Sequence, residues 1–201
     1  KWDQGGPWNY GGIKGPQRFL LDVWEHTLHE YEPATVDDEA TRNLRRKLHQ
    51  TIRKVGEDLA SFSFNTAVAA LMELRNAISD ARQGRTVSQE GWQEAIQSML
   101  LLLAPFAPHI SEELWERLGL PYSVHEQPWP EWDEEAAREE TITLIVQVNG
   151  KVRAKVDVAA DIASDEAEKI ALQEENVQRW LDGKTPRKVI VVPGRLVNIV
   201  L

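Results

Sequence analysis

A chain of 201 residues, 42% hydrophobic and 27% charged, has room for one or two domains and enough apolar content to bury a core. It holds no cysteine, which excludes disulfides and thiolate metal sites, and no stretch approaches the roughly 20 apolar residues that a membrane span needs. The net charge of −9 argues against a uniformly basic nucleic-acid binder, but residues 141–201 carry nine of the 23 Lys and Arg and only eight of the 32 Asp and Glu, so the acidity is concentrated in residues 1–140.

Residues 1–14 combine Gly5, Gly6, Gly11 and Gly12 with Trp2, Trp8 and Tyr10. This reads as a turn-rich segment packed by its own aromatics, with a base-stacking platform as the alternative. It lacks the charged region and apolar core of a secretory signal, and the missing initiator Met reads as a piece of a longer chain. A first helix is predicted from Gly15 or Pro16, since proline is tolerated in a first turn, with Phe19, Val23 and Leu20 or Trp24 as its apolar stripe and Pro33 as its stop.

Thr35 or Asp37 can cap a second helix running to about Ser61. Leu44, Leu48, Ile52, Val55 and Leu59 recur at helical spacing and define its buried face. On the opposite side Arg42, Arg46, His49 and Arg53 fall within about 60° of one another, with Arg45 beside them. No acidic residue interrupts Arg42 to Lys54. A solvated helix face usually mixes signs through i,i+4 pairs, so this row is a candidate phosphate-binding face, with plain solvation as the alternative.

A third helix opens at Ser63 or Asn65 with Phe64, Val68, Leu71 and Ile78 inward, and Gly84 ends it. Ser88 caps a fourth, lined by Trp92, Ile96, Leu100 and Leu103. The run LLLLAPFAPHISEELW, residues 100–115, forces a corner, because Pro105 and Pro108 disfavour a continuous helix. A short fifth helix follows and ends at Gly119. His109 stands at its entrance without a second His, Cys or nucleophile nearby, and reads as a polar helix-start residue rather than a base. His125 beside Glu126 reads as surface, since adjacent residues rarely face one reacting atom. Residues 120–130 form a return segment packed by Trp129, with Trp132 as a second candidate, and 131–140 an acidic linker.

At Thr141 the hydrophobic period switches from 3.6 to 2. TITLIVQVNGKVRAKVDV reads as a hairpin turning at Asn149-Gly150. Strict alternation puts Ile142, Leu144, Val146 and Val148 on one face with Val152, Ala154 and Val156, and gathers Lys151, Arg153 and Lys155 on the other. Those cations suit RNA contact or, alternatively, edge protection. One or two short helices from Ser164, with Ile170, Val177, Trp180 and Leu181 against the sheet, lead to a second hairpin about Pro193-Gly194. Lys184, Arg187, Lys188 and Arg195 lie near its ends. The expected architecture is multi-domain, α and α+β. A Gly- and aromatic-rich opening (1–14) and an antiparallel helical bundle (15–130) are followed by the acidic linker (131–140) and a small β-β-α-β-β domain (141–201).

Several phrases carry a resemblance. GIKGPQRFLLDVW, FNTAVAALMELRN and LLLLAPFAPHISEELWERLG are similar to the helical anticodon-binding domain of class I aminoacyl-tRNA synthetases of the leucine, isoleucine and valine subgroup. VQVNGKVRAK followed by VVPGRLVNIV resembles the C-terminal domain of bacterial-type leucyl-tRNA synthetases. The resemblance implies a C-terminal piece of a cytoplasmic, monomeric enzyme that activates leucine with ATP and Mg and transfers it to leucine tRNA. It implies further that the catalytic domain lies upstream in the same chain. The H-I-G-H and K-M-S-K-S signatures that handle ATP are absent from these residues, so no catalytic residue, cofactor or metal site is expected here. The expected task is positioning of tRNA by Arg42, Arg45, Arg46, His49 and Arg53 and by Lys151, Arg153, Lys155, Lys184, Arg187, Lys188 and Arg195. The alternatives are a protein-interaction module docking a basic partner on the acidic bundle, and the equivalent piece of a valine or isoleucine enzyme.

Overall fold

The structure, a computed structural model, describes residues 10–139 and 141–201. It divides into two compact units, residues 1–138 and residues 139–201. The expectations for Gly5, Gly6, Trp2 and Trp8 lie outside the described residues.

The first unit is helical. After a 3-10 turn at Tyr10–Ile13, α1 runs over Lys14–Leu28, α2 over Asp38–Ala60, α3 over Phe64–Gly84, α4 over Gln89–Leu103 and α5 over Pro108–Arg117. Asp22 pairs with Arg75 and His26 with Ser79, so α1 and α3 advance together. Thr41 meets Ser88 and Arg45 meets Glu94, so α2 and α4 do the same. α2 and α3, joined by three residues and bridged by Lys47 and Glu73 midway along both, run antiparallel, and the core of the unit holds Leu48, Val55, Ala67, Leu71, Leu74, Ala95, Leu100, Leu102 and Leu114. The caps follow local chemistry. The Asp37 carboxylate accepts the Glu39 N–H at 2.8 Å, and the Ser88 hydroxyl accepts the Gly91 N–H at 3.1 Å. At the corner Pro108 occupies the first turn of α5, where its missing N–H costs nothing. The wholly buried Ser111 hydroxyl donates to the Ala107 carbonyl at 3.0 Å.

Three helical details differ from the pattern reading. α1 stops at Leu28, five residues before Pro33, because the chain turns extended at His29 and buries Tyr31. The Tyr31 ring stacks on Trp92 at 4.3 Å and its hydroxyl donates to the Val87 carbonyl. Phe64 is exposed at the start of α3 and Val68 is half-buried, the inward positions being Ala67, Ala70, Leu71, Leu74, Ile78 and Ala81. The third is the acidic stretch assigned as a linker, 131–140. Residues 131–138 belong to the helical unit, where Ala137 is buried and main-chain groups of 133, 137 and 138 bond to α2. Five acidic side chains at 131, 133, 134, 135 and 139 hid that docking, which relies on backbone groups and one alanine.

The second unit is a four-stranded sheet with strands β1 (Thr141–Val148), β2 (Lys151–Ala159), β3 (Lys188–Val192) and β4 (Leu196–Val200) in the order β2-β1-β4-β3. The two hairpin pairs are antiparallel, and β1 and β4 run parallel at the centre. Helices α6 (Ser164–Gln173) and α7 (Glu175–Leu181) cover one face, packing Ala167, Ala171, Val177 and Leu181 on Leu144, Val146, Val148, Val197 and Ile199. Asn149 and Gly150 take the left-handed backbone that a tight hairpin requires, with φ of 50° and 76°. Their turn is tied to the centre of the sheet. Gly150 N–H donates to the Asn198 side chain at 3.0 Å, and the Asn149 side chain accepts the Leu201 N–H at 3.1 Å.

The hairpin departs from strict alternation. A β-bulge interrupts the pairing at Val146/Gln147, so Val146 faces Ala154 while Gln147 faces Val152, leaving Arg153 as the extra residue. Trp180 also differs from expectation, since 53% of its surface is open to solvent.

Candidate nucleic-acid interface

The α2 row is drawn together as the helical period requires, but it is not bare. Arg45 Nε lies 2.8 Å from Glu94 on α4, and His49 Nε2 stands 3.6 Å from the same carboxylate. Arg46 donates to the Arg138 carbonyl at 2.8 Å and to Asn43 at 2.6 Å. His49 is 8% exposed, and its Nδ1 accepts the Asp133 N–H at 3.1 Å, which fixes that nitrogen as unprotonated. Gln50 donates to the Ala137 carbonyl at 3.0 Å, and the Arg53 guanidinium lies 5.2 Å above the Trp132 ring. Arg42 is exposed at the start of the row and is also engaged. The premise that a single-sign row must look outside the chain for partners therefore fails: α4 supplies Glu94, and residues 131–138 meet Arg46, His49, Gln50 and Arg53. Neither could be read from α2, because both arrive from more than 40 positions along the sequence.

The sheet unit corrects the grouping of Lys151, Arg153 and Lys155 on one face. Directly paired residues point to the same side of a sheet. Lys151 pairs with the buried Val148 and so takes the helix-covered side, whereas Lys155 pairs with Ile145 on the opposite side together with Val152. Arg153, at the bulge, places its guanidinium carbon 3.4 Å from the Trp180 ring of α7, with its Nε enclosed and without an acceptor. Alternation alone could not foresee this, since one added residue inverts every position before it.

The sheet instead groups its cations by end. β1 finishes beside the end of β4, and the Arg187 N–H donates to the Val200 carbonyl while Lys188 pairs with Val200. Lys151, Arg187 and Lys188 therefore share the end that carries the Asn149-Gly150 turn, with Lys184 at the start of the connection into β3. Arg195 lies towards the other end, where its carbonyl accepts the Ile145 N–H, level with Lys155. Among the described residues, Lys151, Lys155, Lys184, Arg187, Lys188 and Arg195 have no carboxylate partner. Arg153 and Trp180 add a stacked guanidinium and an exposed indole, the pair of groups that RNA-binding surfaces use for phosphate and base faces.

The remaining polar clusters are structural. Glu112 accepts both the Ser123 hydroxyl at 2.6 Å and the Val124 N–H at 2.9 Å, tying residues 123 and 124 to α5, while His125 lies 3.9 Å from it. Glu113 is paired with Arg117. Among the described residues no group of His, Asp and Glu could hold a metal ion, and no helix is long and apolar enough to cross a membrane.

The family model described as "Anticodon-binding domain of tRNA ligase" matches residues 41–170. The leucine–tRNA ligase of Dehalococcoides mccartyi is 52% identical over 200 residues, covering 100% of this chain and 25% of the relative. That of Rubrobacter xylanophilus is 48% identical over 200 residues and covers 100% and 24%. That of Nitratidesulfovibrio vulgaris is 46% identical over 209 residues and covers 96% and 25%. The chain thus spans about a quarter of the length of the curated relatives it matches. Among solved structures, the LeuRS of Agrobacterium radiobacter K84 in a ternary complex with tRNA and LeuAMS matches with a TM-score of 0.80 at 30% identity, over 97% of this chain and 26% of that one. Both units are covered by these relatives, which are leucine–tRNA ligases, and the family match spans well over half of the residues: the chain belongs to the family of anticodon-binding domains of tRNA ligases.

Proposed function

We propose that the chain binds leucine tRNA and holds it in register for a leucine–tRNA ligase, with the basic end of the sheet unit as its main phosphate surface. The observation that carries this reading is the set of exposed cations at Lys151, Lys184, Arg187 and Lys188 that have no carboxylate partner among the described residues, with Arg153 of β2 stacked on Trp180 of α7. The α2 row is secondary, because Glu94 and residues 131–138 already engage it. Phosphate contacts carry no base information, but they fix orientation, and orientation is what allows a distant 3′ end to reach a reacting centre.

In this reading the ligase reaction belongs to a catalytic domain in the same chain beyond these residues, and ATP and Mg belong with it. The 201 residues alone supply binding without aminoacylation, as a monomer acting in the cytoplasm.

Fluorescence anisotropy of labelled leucine tRNA and of a non-leucine tRNA, titrated with the chain across a KCl series, tests the proposal. Binding should weaken with salt, with a log–log slope of about −0.7 to −0.9 per neutralised phosphate, and should favour leucine tRNA. An absence of binding at low salt would contradict it.

A further inference from the structure

We propose that residues 131–138 are an internal cover over a phosphate-binding face of α2, and that bound RNA backbone takes their place; the inference rests on the tRNA-binding reading above. Four polar side chains along one side of α2 are each met by a different part of this single short segment. Arg46 meets the Arg138 carbonyl, His49 the Asp133 N–H, Gln50 the Ala137 carbonyl and Arg53 the Trp132 ring. The segment carries Glu131, Asp133, Glu134 and Glu135, all exposed, so it lays negative potential over the one part of α2 whose sequence is basic without interruption. A cover with acidic side chains and main-chain acceptors offers the row what a phosphodiester backbone offers, in weaker form.

Two features make the exchange favourable in direction. Arg46 donates to a neutral carbonyl of the segment, and a phosphate in that place would ionise the acceptor as well as the donor and admit a bidentate pair. The segment is also lightly held. Only Ala137 of residues 131–138 is buried, and Trp132 leaves 41% of its surface in solvent, so little apolar area opposes its release. Its internal turn, in which Asp133 accepts from the Ala136 and Ala137 N–H groups, gives it main-chain protection that can be followed directly.

Hydrogen exchange of the 201-residue chain, free and saturated with leucine tRNA, reads the cover at the amides of Asp133, Ala136, Ala137 and Arg138. These amides should be protected in the free chain and lose that protection when tRNA binds. Trp132→Ala, which leaves the net charge unchanged, should loosen the cover and tighten tRNA binding in the anisotropy titration. If tRNA binds while the four amides keep their protection, or if Trp132→Ala binds no more tightly, the cover is overturned and the tRNA-binding reading stands. If the chain binds no tRNA at low salt, both fall.

Discussion

His26 lies between α1 and α3 with both ring nitrogens in use. Its Nε2 lies 2.7 Å from the Ser79 hydroxyl, and Arg82 donates to its Nδ1 at 3.2 Å. An arginine can only donate, so Nδ1 is the acceptor and the ring is neutral. Burial holds its pKa below the usual histidine value, the Arg82 charge adds to this, and Asp22 and Glu25 oppose it while Arg75 reinforces it. The folded state therefore binds this proton less readily than the unfolded chain. Its contribution to stability is complete above the unfolded value of about 6.5 and is lost as pH falls from there through the lowered folded value. Urea unfolding at pH 7.5 and 5.5 should show a loss at the lower pH that shrinks in His26→Gln, and an equal loss in both proteins would contradict the role. None of this was legible from His26 in the sequence, where a histidine one turn from a helix end carries no signal. Arg75, Ser79 and Arg82 reach it from about 50 positions away.

At the scale of elements, local chemistry was readable and long-range partnership was not. Asp37, Ser88, Pro108 and Asn149-Gly150 announce helix starts and a hairpin because each acts on backbone within four residues of itself. The buried row Leu44, Leu48, Ile52 and Val55 is likewise a property of one helix. The bulge at Arg153, the docking of residues 131–138 and the early end of α1 at Leu28 depend on contacts between separate elements, and each overrode a local rule. Gly91 is a further case. Glycine is a poor helix former, yet a Cβ there would lie 3.0 Å from Thr41 Cγ2, 3.2 Å from Ser88 Oγ and 3.3 Å from Val87 Cγ1. The glycine admits α2, and the Ser88 N–H reaches the Thr41 hydroxyl across that approach at 3.0 Å. Gly91→Ala gains about 1 kcal/mol of helix propensity but should lose more through overpacking of about 1–3 kcal/mol. A net destabilisation in thermal unfolding is expected, and a stabilised variant would show that the α2–α4 approach has slack.

For the whole molecule, a net charge of −9 hides a division of labour. The helical unit has its basic row covered by its own acids and backbone, while the sheet unit leaves six cations without carboxylate partners among the described residues. The two-unit organisation and the family were legible from motif phrases spread along the chain. The candidate surface was only half legible: the cations could be named from the sequence, but the bulge and the parallel β1–β4 pairing decide which of them stand together. The decisive measurement is the salt dependence of leucine tRNA binding for the wild-type chain against the triple variant Lys151→Ala, Arg187→Ala, Lys188→Ala. All three side chains are exposed, so the fold should survive. The variant should bind more weakly, and its log–log slope should be shallower by about 0.7–0.9 for each phosphate contact removed. Equal affinity and equal slope in the two proteins would contradict the assignment of this end of the sheet as the phosphate surface.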